Sequence, residues 1–195
     1  MSPARLRAVA VDEVAALRSG SGSPPAGLRW PADYPATETL DLVTRAWEAH
    51  RVLGWSGDVT PSWWLYQIVL GGDVVGDAGF GGPPGVEPRL RPAGAQAAVV
   101  GAGVGESAGL AEVEIGYHVL PAWRRRGIAT SACRLLVEQA WRDGADVVRA
   151  ETAPDNRASR RVLLGSGFVA DGELGFLVRR PLRAGRSSEG AGQDE

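Results

Sequence analysis

The apolar residues Val113, Ile115, Tyr117 and Val119 alternate with polar or small neighbours, the period of a strand that buries one face. The alternation ends at Pro121. After the turn Arg124-Arg125-Arg126-Gly127 the period lengthens. Ile128, Ala132, Leu135, Leu136 and Ala140 then share one side of a helix predicted over 127–143, with Gly144 as its stop. Residues 146–152 are apolar enough for a strand in the middle of a sheet. Asn156 opens a second helix that Gly165 closes, and Asp171-Gly172 reads as a hairpin turn between strands at 168–170 and 174–179.

Upstream, residues 5–11 predict a short strand, with Asp12 as N-cap of a helix over 13–18. Residues 19–35 are rich in Ser, Gly and Pro and read as loop. A helix over 39–53 would bury Leu40, Val43, Ala46, Trp47 and Ala49 and end at Gly54. Strands at 63–70 and 74–80 form a hairpin across Gly71-Gly72-Asp73. Residues 81–109 hold little besides Gly, Ala, Pro and Val and read as a long loop. A domain over 1–183 and a disordered tail over 184–195 follow from the change in composition.

The composition removes several chemistries. All 21 basic residues are arginine, so no lysine can form a Schiff base or serve a P-loop. The single cysteine, Cys133, excludes an intrachain disulfide and a multi-thiolate zinc site, and no metal is expected. A net charge of −2 argues against a surface dedicated to nucleic acid. No apolar run is long enough to span a membrane, and Met1-Ser2-Pro3-Ala4-Arg5 leads into no signal-peptide core, so the expected location is the cytoplasm. Residues 101–107 imitate a P-loop, but Glu106 stands where the phosphate lysine belongs and would repel phosphate.

The turn at 124–130 has a chemistry of its own. The first N–H groups of a helix lack internal acceptors and sit at the positive end of its dipole, so a phosphate placed there gains several donors. Gly127 lets the backbone approach an anion, Ala129 keeps the contact face small, and three arginines add charge at the rim. The same residues taken alone also fit a solvated basic turn.

Flanking motifs add specificity. The chain has Val75-Gly76-Asp77-Ala78-Gly79-Phe80-Gly81-Gly82-Pro83-Pro84 and then Val113-Glu114-Ile115-Gly116-Tyr117-His118-Val119-Leu120-Pro121. These precede the Arg/Gly turn. Ala150-Glu151-Thr152-Ala153-Pro154-Asp155-Asn156, Ala158-Ser159-Arg160-Arg161-Val162-Leu163 and Gly167-Phe168 follow it. Over residues 65–174 this order resembles the GNAT (Gcn5-related N-acetyltransferase) superfamily, and most closely its branch of ribosomal-protein N-terminal acetyltransferases. The first sixty residues match only loosely.

The resemblance implies a mixed α/β fold: one twisted, mostly antiparallel sheet with a single splayed parallel pair, and helices on both faces. It implies acetyl-CoA as co-substrate and an amine acceptor, either a small molecule or a protein N-terminus. Dimers are common in the family, so a homodimer is one expected assembly. The backbone of Val119 would bond the pantetheine arm and polarise the thioester. Arg124, Arg125, Arg126, Gly127, Ile128, Ala129 and Thr130 would wrap the pyrophosphate, while Asn156 and the nearby Ser159 would meet the pantetheine from the other side.

Acetyl transfer also needs a base for the amine. Glu114, with Glu112 on the same strand face, is the first candidate and His118 the second; a face of two glutamates can equally be solvent-exposed or salt-bridged. Leu163 stands where many relatives carry a tyrosine acid, so Ser159 or water would take that role, or the thiolate would leave unaided. Five of the seven tryptophans fall before residue 65, and Trp30, Tyr34 and Trp55 are candidates for an acceptor pocket, with core packing as the alternative. The competing function is an acyl-CoA-binding protein without catalysis.

Overall fold

The computed structural model describes residues 3–52, 54–56, 60–61, 63–84 and 109–181. The strands are β1 (Arg5–Ala8), β2 (Leu65–Leu70), β3 (Asp73–Phe80), β4 (Glu112–Val119), β5 (Val147–Glu151), β6 (Val169–Asp171) and β7 (Gly175–Arg179). The helices are α1 (Val11–Ser19), α2 (Thr37–Val52), α3 (Ile128–Arg142) and α4 (Arg157–Gly165), with a 3₁₀ turn at Pro121–Trp123. Among the described residues the strands form one sheet in the order β1-β2-β3-β4-β5-β7-β6. Each neighbouring pair is antiparallel except β4–β5. The mixed α/β architecture with one parallel pair is as expected. Most of the loop predicted over 81–109, the P-loop imitation within it and the tail over 184–195 lie outside the described residues.

The helices divide between the two faces. α3 and α4 cover one, burying Ile128, Ala132, Leu136 and Leu163 against Val113, Ile115, Ala78 and Phe80. α1 and α2 cover the other, burying Val14, Leu17, Leu42, Val43 and Ala46 against Leu65, Val69 and Val74. Full burial of one such aliphatic side chain is worth roughly 1.5–3 kcal/mol.

Several boundaries differ from the sequence reading. α1 begins at Val11, because the Glu13 carboxylate reaches back to the Ala10 N–H (2.9 Å) and caps the helix ahead of Asp12. β2 begins at Leu65, since Trp63 takes a left-handed backbone (φ 60°) and buries its ring edge-on to Phe80. Leu40 is 37 % exposed; Thr39 takes the buried place and bonds Asp77 instead. Gly165 lies inside α4, and the left-handed residue that follows the helix is Gly167 (φ 94°).

One packing relation matters for the site. Glu38, Leu42 and Arg45 of α2 lie over His118, Gly116 and Glu114 of β4 in turn. Steps of four and then three helix residues rise about 6.0 and about 4.5 Å, against about 6.6 Å for two strand residues, so one ridge of α2 tracks alternate positions of β4. A Cβ at Gly116 would stand 3.3 Å from Leu42. The even-numbered face of β4 therefore has a roof of side chains from α2.

Candidate active site

The centre of the molecule is the gap where β4 and β5 part. Their register runs Glu112↔Val147, Val113↔Val148, Glu114↔Arg149 and stops there. On the opposite edge of β4 the Leu120 N–H reaches the Val75 carbonyl (3.0 Å) and the Glu114 carbonyl accepts from Gly81 (2.9 Å). Even-numbered main-chain groups of β4 thus point to β3, and odd-numbered ones point to β5. Beyond Glu114 the N–H groups of Tyr117 and Val119 therefore face a gap in place of a strand. The Val119 carbonyl is taken by Arg124 Nε (2.8 Å).

Below the gap α3 begins. Gly127 holds a left-handed backbone (φ 73°) and Arg125 another (φ 61°), which turns the chain sharply into the helix. The earliest intrahelical bond there is Ser131 N–H to the Gly127 carbonyl (3.0 Å), leaving the N–H groups of Ile128, Ala129 and Thr130 for another acceptor. The three arginines do not act alike. Arg124 folds back on β4, bonding Val119 and His118. Arg126 bonds the Ala122 carbonyl (3.1 Å) and lies over the Trp123 ring. Only the Arg125 side chain is uncommitted among the described residues. Across the gap, the Asn156 side chain accepts from the Ser159 N–H (3.0 Å) as the cap of α4.

The carboxylates on the even face of β4 have different fates. Glu112 is held by Arg149, which also grips Asp171, and so is occupied. Glu114 is half-buried under α2 and its carboxylate has no hydrogen-bond partner among the described residues. Burial pushes its pKa up to about 7; the neighbouring charge of Glu151 adds to the rise and Arg45 opposes it. A carboxyl of that pKa is poised as a base near neutral pH.

His118 differs. Its Nε2 lies 3.2 Å from an Arg124 nitrogen, which can only donate, so Nε2 accepts and the neutral ring carries its hydrogen on Nδ1. That Nδ1 is buried without a partner among the described residues. Burial lowers the ring pKa, Glu38 opposes the shift and Arg124 supports it. The lone pair a base would need is already engaged.

The aromatic candidates lie behind the α2 roof. Tyr34 is buried, and its hydroxyl donates to Asp77 (2.9 Å) while accepting from Gln67 (3.0 Å). Trp30 packs edge-on against Tyr34, and Trp55 against Trp47 and Trp64 in the α1/α2 core. Two residues given no functional role in the sequence reading stand out. Asp77 gathers Tyr34 and Thr39, and Tyr117 reaches from β4 to Ser159 Oγ (2.7 Å). The alternation of residues 113–119 was the available signal for Tyr117, since it sets that ring on the side of α3 and α4.

The family model described as the acetyltransferase (GNAT) domain matches residues 4–169. Among solved structures, the Mycobacterium smegmatis RimJ in complex with CoA-disulfide is 20 % identical, covering 90 % of this chain and 81 % of that one, with TM-score 0.53. The ribosomal-protein-alanine N-acetyltransferase of Brucella melitensis is 17 % identical, covering 90 % and 99 %, with TM-score 0.51. The aminoglycoside acetyltransferase AAC(6')-Ib with coenzyme A and kanamycin is 18 % identical, covering 91 % and 95 %, with TM-score 0.53. Among curated proteins none matches in sequence.

Proposed function

We propose, from the premise that the chain belongs to the GNAT acetyltransferase family, that it passes the acetyl group of acetyl-CoA directly to a primary amine, with Glu114 as the base. The observation that carries this reading is the Glu114 carboxylate, without a hydrogen-bond partner among the described residues and raised to a pKa of about 7, beside the gap onto which the Tyr117 and Val119 N–H groups face. The pyrophosphate would lie on the N–H groups of Ile128, Ala129 and Thr130, with Arg125, uncommitted among the described residues, as a cation beside it and Gly127 giving close approach. Arg124 and Arg126 would fix the turn through their main-chain bonds. The pantetheine would pass between Val119 and Asn156, and the thioester carbonyl would take the Val119 N–H as its oxyanion donor.

The amine would approach from the α2 side. Glu114 would take its proton as the lone pair attacks the carbonyl carbon; the tetrahedral intermediate would then collapse with loss of the CoA thiolate. Glu112 would support the site through Arg149. Trp30, Tyr34 and Trp55 would support the acceptor wall from behind. AAC(6')-Ib, crystallised with coenzyme A and kanamycin, and the Brucella melitensis protein, named a ribosomal-protein-alanine N-acetyltransferase, both favour an amine acceptor.

The test is a screen for CoA release with aminoglycosides, polyamines, amino acids and peptides with free N-termini, run beside calorimetry with acetyl-CoA. Turnover with any amine is the expected result. Absence of acetyl-CoA binding would refute the co-substrate assignment. Binding without turnover would favour an acyl-CoA-binding protein, a reading prompted by the buried Leu163 at the place of the usual acid.

A further inference from the structure

Two charges act on the Glu114 carboxylate without bonding it. Glu151 holds its pKa up and Arg45 pulls it down, yet neither is joined to it by a hydrogen bond or an ion pair among the described residues. They come from different layers. Arg45 belongs to α2, the roof of this face. Glu151 ends β5 two residues past Arg149, the register partner of Glu114, and so stands on the same face of the sheet. The base therefore sits between a cation on the roof side and an exposed anion on the β5 side.

The Arg45 guanidinium is uncommitted. Its Nε reaches the Asp41 carbonyl of its own helix at 3.4 Å, and its two Nη atoms have no partner among the described residues. Arg149, which lies on the same sheet face, is already shared by Glu112 and Asp171. Glu38 does not neutralise Arg45 either. It lies against His118, beyond the point where Leu42 sits over Gly116. Charge around the base is thus arranged as a dipole, positive on the roof and negative on β5.

A ligand that matches this dipole carries an amine and a carboxylate on one carbon. The planar guanidinium fork fits a carboxylate with two parallel hydrogen bonds. We propose that the acceptor is a free α-amino acid, with its carboxylate on Arg45 and its amine between Glu114 and Glu151. The inference rests on the acetyltransferase reading of the gap and names the acceptor class for it. The ammonium gives its first proton to solvent. The neutral amine then forms its bond to the thioester carbon, its second proton passes to Glu114, and the carbon–sulfur pair leaves on the CoA thiolate. The product is the N-acetyl amino acid. The carboxylate stays ionised throughout, and Arg45 positions it. A polyamine or an aminoglycoside brings a further cation against Arg45, and a protein N-terminus or an amino-acid amide offers a neutral carbonyl in place of the carboxylate.

The test compares kcat/KM for the common amino acids other than cysteine with that for their amides, by release of CoA thiol at saturating acetyl-CoA. Spermidine and kanamycin are run beside them. At least one amino acid is expected to turn over, and its acid-to-amide ratio should fall about 10–100-fold in Arg45→Gln, chiefly through KM. Arg45→Lys keeps the charge without the fork and should restore part of the ratio. The ratio is internal to each enzyme, so a change in folded fraction or in the Glu114 pKa cancels. The amine's own pKa cancels between enzymes.

An acid-to-amide ratio equal in wild type and Arg45→Gln would overturn the proposal. Turnover confined to amides, spermidine or kanamycin would overturn it too, and would leave the acetyltransferase reading standing. Binding of acetyl-CoA without turnover of any amine would overturn both. Absence of acetyl-CoA binding would overturn the reading of the gap on which this inference rests.

Discussion

Replacing Glu114 with Gln removes a charge but keeps the shape, and its effect should depend on pH in a defined way. With a pKa of about 7, roughly nine-tenths of the wild-type carboxyls are ionised at pH 8 and roughly one-tenth at pH 6. A positioned general base contributes about 10²–10⁴ in rate. At pH 8 the wild type should therefore exceed Glu114→Gln by at least ~10²-fold in kcat/KM for the acceptor, and at pH 6 by about tenfold less than that. Protonation of the amine affects both enzymes alike and cancels in the ratio. The assay is release of CoA thiol, with the acceptor varied at saturating acetyl-CoA. The charge of Glu151 helps to hold the Glu114 pKa up, so Glu151→Gln should move the acid limb of the wild-type profile to lower pH. A ratio of wild type to Glu114→Gln that stays constant from pH 6 to pH 8 would refute the assignment of the base.

Asp77 is fully buried with its pKa raised from 3.8 to about 7, so the native state holds a proton that the unfolded chain releases. Its contribution to stability is full below 3.8 and is lost as pH rises through about 7. Asp77→Asn should therefore gain on the wild type by roughly 2–3 kcal/mol between pH 5 and pH 8 in urea denaturation; a difference unchanged with pH would count against it. Gly127→Ala meets no neighbour but must hold φ 73°, at a cost of roughly 1–2 kcal/mol. Gly76→Ala should cost more, because its Cβ would strike the His118 carbonyl and come 2.9 Å from Val119 Cα, both main-chain atoms; equal midpoints for the two variants would contradict this. Asn156→Ala loses the cap on Ser159 and should destabilise by about 1 kcal/mol while raising KM for acetyl-CoA, and an unchanged KM would remove Asn156 from the pantetheine contact.

The order of strands and helices from β4 to β7 was legible because each segment has a clean period and its own punctuation. Residues 113–119 alternate, residues 128–140 repeat at helical spacing, and Gly144 and Asp171-Gly172 mark the stops. These are local properties, fixed by backbone sterics and by which side chains tolerate water. The unpaired N–H groups at the Arg/Gly turn were legible for the same reason, since they are a local consequence of helix geometry.

Side-chain commitments were not legible, because they depend on which segments meet. Arg124, Arg125 and Arg126 look equivalent in sequence, yet two of them are spent on their own turn and on β4. Glu112 and Glu114 share a strand face, but Arg149 of β5, itself gripped by Asp171 of β6, occupies only the first. Glu114 owes its raised pKa to burial in the folded chain and to Glu151, while Arg45 of α2, 69 residues before it in the chain, opposes the rise. The pairing of Tyr117 with Ser159 spans 42 residues. A strand's period decides which way a side chain faces; what waits for it there is set by packing between elements far apart in the chain, and the desolvation and charge that follow decide its chemistry.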